Sequence, residues 1–364
     1  MSTPDIIYLG RSRLHRNRAN LIQTLHTVAA FQRLGLRARL YLPPWRERSL
    51  GHRLHELGIP DELDVRSSRL LHSRWNLWPF VVAHHRLLNR SKAVYVRSPD
   101  LSRALRLARI RHSFEVHDVA QLRREGLLEA TTKAHRAGLI RWLMPISRAA
   151  AQALVAAGAE QSRIHVAPSG VDLEAFSSIP PFVPASLDAP HCVYLGRLSR
   201  DRGLDILLEL ASRGLTRVSL VGEQEDAVQG APGVVVRPFI PHREVPAWYG
   251  RASLVLLPYQ VDLGHSASIS PIKLFEAMAA GRPIVASDLP PIREILTHGR
   301  DALLVEPDDV EAWAQAVQRL HGDRALACSL ARSARRHAQN YSWQARARGI
   351  AEALLGLMPC SAGR

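Results

Sequence analysis

Glu276 is at odds with its surroundings. It falls in SISPIKLFEAMAAGRPIVASDLPPIREI, residues 268–295, on a stretch otherwise made of Ile, Leu, Phe, Met and Ala. An unpaired carboxylate is costly to bury, so a Glu on the apolar side of such a helix requires hydrogen-bond donors. The vicinal hydroxyls of a ribose would serve. The other reading is a Glu on the solvent side of an amphipathic helix. A second cluster of interest is cationic. Gly196-Arg197 lies just past an apolar run and Arg202-Gly203 just before the next one. Two guanidinium groups beside a helix N-terminus can bind a diphosphate through forked, charge-assisted donors, although an isolated Arg pair is also at home as a solvated loop. His117 follows Phe114-Glu115-Val116. A strand-end His can hydrogen-bond a sugar hydroxyl or a reacting centre, or simply satisfy a structural need. Asp118 either orients that imidazole or caps a turn.

The elements that position these residues follow from local chemistry. Ser270-Pro271 reads as a helix start, with a hydroxyl N-cap and proline at the first helical position. Ile272 to Ala280 is then a short helix, stopped by Gly281 and Pro283. Its start offers free N–H groups to a phosphate, which brings in Ser270 and Ile272. Ile284 to Ala286 reads as a strand, and Ser287-Asp288 sits at its carboxyl end, where open parallel sheets place ligands.

SPIKLFEAMAAGRPIVASDLPPIREIL resembles the nucleotide-binding signature of retaining GT-B glycosyltransferases of family 4, the glycosyl transferases group 1. The resemblance implies that Glu276 holds the ribose of a nucleoside-diphosphate sugar. The motif's other Glu, eight residues earlier, is replaced here by Ser268. Gly-Arg, a loop and Lys-Gly is the family's diphosphate pattern; Arg202 stands where Lys is usual. FEVHD resembles the segment whose His contacts the donor sugar, which makes His117, with Arg197 and Arg202, a candidate catalytic residue. Gly196, Arg197, Arg202, Ser270, Ile272 and Glu276 are the implied donor-binding set. Gly10 and Asn20 occupy the place of the family's acceptor-side loop, without its double glycine. VVRPFI, residues 235–240, matches the place where backbone meets the nucleobase.

Strand and helix patterns alternate along the chain. Apolar runs at Ile6–Leu9, Ala38–Leu42, Ala93–Val96, Phe114–Val116 and Trp142–Ile146 read as strands of a parallel α/β sheet covered on both faces. SSIPPFVPASLDAP, residues 177–190, has four prolines and little periodicity. The pattern then restarts with Val193–Leu195, Val218–Val221, Val234–Val236 and Leu254–Leu257. Two Rossmann-like, doubly wound domains facing each other across a cleft are expected: residues 1–180 for the acceptor, a linker at 181–190, and 191–340 for the nucleotide sugar. By resemblance, a last helix at 341–364 crosses back to the first domain.

Composition narrows the partners. The chain has 364 residues and a formal net charge of +15. Residues 1–180 hold 28 Lys+Arg against 14 Asp+Glu, while 181–364 hold 20 against 19. Nearly all the excess is therefore in the first half, which points to a surface facing something anionic. No docking motif for nucleic acid appears, so none is expected. LLHSRWNLWPFVVAHHRLLNR, residues 70–90, sets aromatics among arginines, as an anionic membrane interface would favour. Arg69, Arg74, Trp75, Trp78 and Arg86 are its candidate contacts; a core helix with a basic outer side is the equal alternative. No run reaches the ~18 apolar residues of a membrane span. The opening MSTPDIIYLGRS leads into a strand without a signal-peptide pattern, and the three cysteines lack metal spacing. A cytoplasmic protein, peripheral on the inner membrane face, is expected.

Neither an Asp-x-Asp pair after a strand nor a His/Cys cluster is present, so no metal or other cofactor is expected. Two arginines and a helix dipole would then stabilise the leaving diphosphate. The expected activity is metal-independent transfer of a sugar from a nucleoside-diphosphate sugar to a lipid-linked or glycan acceptor, with retention. The rival readings are a sugar-nucleotide epimerase of the same fold and a basic membrane- or nucleic-acid-binding protein without catalysis.

Overall fold

The protein, in a computed structural model, is described over residues 3–16, 18–45, 50–59, 62–72, 77–226, 228, 232–264 and 266–356. The chain forms two compact units: one runs to Ser169 and resumes at Trp343, and the other is Gly170–Ser342.

The first unit is a six-stranded parallel sheet. Its strands are β1 (Ile6–Leu9), β2 (Ala38–Leu42), β3 (Asp64–Ser67), β4 (Ala93–Val96), β5 (His112–Val116) and β6 (Ile140–Pro145), in the order β3-β2-β1-β4-β5-β6. IIYL and AVYV are buried at every residue, as central strands covered on both faces must be. DVRS of β3 is a polar edge strand without a hydrophobic signature, and the sequence reading passes over it. It is held by parallel pairing to β2 and by Arg39 Nε, 2.7 Å from Asp64.

The second unit repeats the scheme with β7 (His191–Leu195), β8 (Arg217–Val221), β9 (Val234–Arg237), β10 (Val255–Leu257), β11 (Ile284–Ser287) and β12 (Leu303–Val305). They pair as β7-β8-β9 and β10-β11-β12, and a bridge between Cys192 and Leu254 joins β7 to β10. In each unit the winding reverses beside its first strand, between β1 and β4 and between β7 and β10. Doubly wound sheets bind ligands at the carboxyl ends of the strands flanking such a reversal.

Two boundaries differ from the sequence reading. Residues 177–190 pack into the second unit: Pro184–Asp188 is a 3-10 turn whose Leu187 is 1% exposed, in the core with Cys192 and Leu207. Prolines there prevent regular structure without preventing burial. The changeover comes earlier, at 169/170. Helix Trp343–Leu355 lies with the first unit along helix Ala19–Arg33, with Trp343 stacked on His26 at 5.3 Å between ring centroids. Among the described residues no helix is long and apolar enough to cross a membrane.

Candidate functional site

In the second unit the cationic residues gather past the end of β7. Gly196 donates its N–H to Val221 at 2.9 Å, and Arg197 follows, 41% exposed at its side chain. Arg197 donates to Oε1 of Glu225 at 2.7 Å, while Arg202 lies 3.8 Å from Oε2 of the same residue. Arg202 is buried and also donates to Ser199 Oγ and Asp201 Oδ1, both at 2.9 Å. The structure thus brings the two expected arginines onto one carboxylate, an anion the sequence reading missed. Two glycines permit the arrangement. A Cβ on Gly203 (φ +75°) would lie 2.0 Å from the Pro258 carbonyl at the end of β10. One on Gly222 (φ +152°) would lie 1.9 Å from the Gly196 carbonyl, so the loops after β7 and β8 close on each other only without side chains there.

Helix Ile272–Ala280 starts and ends where its sequence dictates, with Gly281 at φ +62° closing it. Its N-cap is Pro271, with no side-chain cap bond, so Ser270 stands one residue ahead of the cap rather than in it. Proline's ring-fixed φ, −75° here with an extended ψ of 129°, suits that position, and the first-turn N–H of Leu274 is satisfied by the Pro271 carbonyl at 3.0 Å. Ile272 and Glu276 are both buried, which removes the solvent-side reading of Glu276. Its Oε1 accepts from His242 Nε2 at 2.7 Å. His242 sits in the loop after β9 and was not singled out in the sequence, because a lone loop His carries no signal. Lys273, next to Ile272, buries its side-chain nitrogen over the Tyr194 ring, 3.8 Å from the centroid.

In the first unit the ends of β1, β4 and β5 carry Gly10, Arg97 and His117. Glu115 is fully buried and its carboxylate gathers donors: Tyr8 at 3.0 Å, Gln23 at 2.9 Å, Tyr95 at 2.5 Å and His117 Nε2 at 2.5 Å. Arg97 donates to the other ring nitrogen of His117 at 3.2 Å and to the Asn20 carbonyl at 3.0 Å. Asn20 and His117 are thereby linked through one guanidinium. Burial first, then the charge of Arg97, lower the His117 pKa to about 4 against the pull of Glu115. The imidazole is therefore neutral at pH 7, with Nε2 bearing the proton. Glu115 orients it; Asp118 instead caps the next helix by accepting from Gln121 N–H at 2.9 Å. Gly10 donates its N–H to Tyr41, and a Cβ there would come within 3.0 Å of Leu42. Glu115 was legible in principle: it is a carboxylate in an apolar strand, the same anomaly as Glu276.

Of the membrane-facing candidates, Arg69 and Arg86 are exposed and Trp78 is 43% exposed; Arg74 and Trp75 lie outside the described residues. Phe80 of that stretch is core, packed edge-on against Tyr41. Val82 and Leu107 are 67% and 59% exposed, and an open groove runs past Trp78, Val82, Arg86 and Ala108. Among the described residues no group of three His, Cys, Asp or Glu is placed to hold a metal ion.

Known proteins share both pattern and fold. Residues 189–323 match the family model of the glycosyl transferases group 1. The chain is 28% identical over 296 residues to D-inositol 3-phosphate glycosyltransferase 1 of Catenulispora acidiphila, spanning 72% of this chain and 68% of that one. It is 30% identical over 211 residues to the D-inositol 3-phosphate glycosyltransferase of an Arthrobacter species, spanning about half of each: 51% of this chain and 48% of the relative. Among solved structures it resembles Anabaena HepE in complex with UDP and glucose, with a TM-score of 0.72 at 18% identity over 97% of this chain and 100% of that one. Sucrose-phosphate synthase from Thermosynechococcus elongatus superposes with a TM-score of 0.73 at 16% identity, over 95% of this chain and 97% of that one. The fold is GT-B, and residues 189–323 carry the glycosyl transferases group 1 pattern.

Proposed function

We propose that the protein transfers a hexose from a nucleoside-diphosphate sugar to a hydroxyl of a lipid-linked or glycan acceptor, with retention and without a metal. The observation that carries this reading is the second unit's pair of Arg197 and Arg202 past the end of β7, together with buried Glu276 on helix Ile272–Ala280. Cations suit a diphosphate, and a carboxylate in an apolar setting suits a pair of ribose hydroxyls. HepE, whose fold this chain shares, is known with UDP and with UDP-glucose. The curated relatives are named for a phosphorylated acceptor, in keeping with the basic first half of this chain.

In the proposed reaction the acceptor hydroxyl attacks C1 on the face from which the diphosphate departs. The bond from C1 to the diphosphate oxygen breaks as the bond to the acceptor oxygen forms, and a diphosphate oxygen takes the hydroxyl proton. Retention follows because the incoming oxygen takes the face the leaving group vacates. Arg197 and Arg202 stabilise the charge that develops on the diphosphate. Neutral His117, its ring fixed by Glu115 and Arg97, orients the sugar. Ser268, standing where the family signature has Glu, offers no carboxylate nucleophile.

Exposed Trp78 and Val82, which line one groove with Arg86, favour docking on an anionic bilayer at the cytoplasmic face, where a lipid-linked acceptor would be met. The test of the reaction is a panel of UDP-, GDP- and ADP-sugars screened by thermal shift, followed by proton NMR of the anomeric linkage formed with acceptor. Stabilisation by one donor and a product of unchanged anomeric configuration are expected. Inverted product, or conversion of the donor to an epimer without acceptor, would overturn the proposal.

A further inference from the structure

We propose that Lys273 is a third cation for the donor diphosphate, held behind the Gly196 turn beside Arg197 and Arg202. The inference rests on the donor reading above and deepens it. Lys273 is the second residue of helix Ile272–Ala280, and its amine reaches back to the end of β7. A Cβ added to Gly196 would meet Nζ at 3.3 Å, so the amine lies directly against the turn that precedes Arg197. The Tyr194 ring lies 3.8 Å from Nζ and the Tyr259 ring 5.3 Å. Both rings are buried, and Tyr194 commits its hydroxyl to the Arg197 carbonyl. Nζ is itself buried and has no hydrogen-bond partner among the described residues.

A primary amine with three donor directions is not left this way for packing alone. The aromatic faces attract an ammonium but accept no strong hydrogen bond from it. The charged groups acting on it are Arg202 and Arg197, which oppose protonation, and Glu276 and Asp201, which favour it. Glu276 is already bonded to His242, and Asp201 to Arg202 and Ser199. An anion of more than one charge, at the strand end where this fold takes ligands, would meet the amine and both arginines together. Burial, the largest influence, and the two arginines hold the Lys273 pKa well below the ordinary lysine value, and a bound diphosphate would raise it again by favouring the charged form.

The test is calorimetric titration of the full chain with UDP, GDP and inorganic pyrophosphate at pH 7.5, in buffers of differing ionisation enthalpy. Wild type is expected to take up protons on binding its nucleoside diphosphate. Lys273→Met, whose side chain suits the space between the tyrosines, should bind it about tenfold more weakly, with the uptake lost and nucleoside affinity kept. Lys273→Arg should recover affinity without the uptake. If wild type binds UDP or GDP and Lys273→Met matches it in affinity and proton uptake, the inference is overturned while the donor reading stands. If wild type binds none of the three anions, both are overturned.

Discussion

Arg346, on the last helix of the chain, places a guanidinium nitrogen 3.0 Å from Oε1 of Glu115, a carboxylate with no exposed surface. The same side chain reaches Thr27 Oγ1 at 2.8 Å and the Pro168 carbonyl at 2.9 Å. Helix Trp343–Leu355 thus contributes a counter-charge to the carboxylate that orients His117. Burial alone would raise the Glu115 pKa; Arg346 leads the groups that outweigh it and hold the carboxyl well below its ordinary value.

Breaking this pair from one side leaves a buried charge uncompensated, so Arg346→Met is predicted to destabilise the protein by about 3–5 kcal/mol. Urea unfolding measures it. The Arg346 charge also disfavours protonation of His117, so the His117 titration, followed by NMR in the variant, should move upward from about 4. A stability loss with an unmoved His117 would mean that Arg346 acts by packing alone.

Acid should weaken the fold before the carboxylates titrate. His112 and His117 both have pKa values lowered to about 4, burial being the first cause in each. His112 is fully satisfied as a neutral ring by Ser102 and the Ile110 carbonyl. In the unfolded chain a histidine binds its proton near pH 6.5, so the stability these neutral rings confer is complete above that value and is lost as pH falls towards 4. His112 alone accounts for on the order of 3 kcal/mol. About 2 kcal/mol of that should be lost between pH 7.5 and pH 5; urea unfolding at the two pH values measures it, and a substitution of His112 that keeps the fold should flatten the difference.

Glu225 occupies the anion position between Arg197 and Arg202. Because the pair is more than a third exposed, its intrinsic strength is modest, roughly 1 kcal/mol or less. Glu225→Gln is therefore predicted to tighten nucleoside-diphosphate binding up to about fivefold, with the gain shrinking at high salt. Weaker binding would show instead that Glu225 holds the arginines in place.

How far the sequence foretold this arrangement depended on whether a local rule was at work. Helix Ile272–Ala280 and the ends of β1, β2, β4 and β7 were legible because glycine, proline and apolar runs act on their own neighbours. The buried state of Glu276 was one of two open readings, since a nine-residue helix pattern does not say which face is covered. His242, Glu225 and Arg346 were not legible. Each meets its partner across 34, 28 and 231 residues respectively, counting to Glu276, Arg197 and Glu115, and no spacing rule connects them. The segment 177–190 misled for a related reason: composition reports regularity, and Leu187 is buried without it.

The exposed apolar and basic surface of the first unit is predicted to bind anionic vesicles. Flotation with phosphatidylglycerol-containing liposomes should recover the protein, and Val82→Asp combined with Arg69→Glu and Arg86→Glu should release it. Each arginine near an anionic surface contributes ~1 kcal/mol. Equal recovery on neutral vesicles would contradict the electrostatic account.

The central claim is that the second unit grips a sugar nucleotide by its diphosphate and ribose. The most direct measurement is the dissociation constant of the preferred nucleoside-diphosphate sugar for wild type, Arg197→Ala and Glu276→Ala, each checked for folding by circular dichroism. Loss of a charge-assisted contact is worth about 1.5–3 kcal/mol, so affinity should fall by at least tenfold in each variant. Full wild-type affinity in both variants, or no sugar nucleotide bound by the wild type, would contradict it.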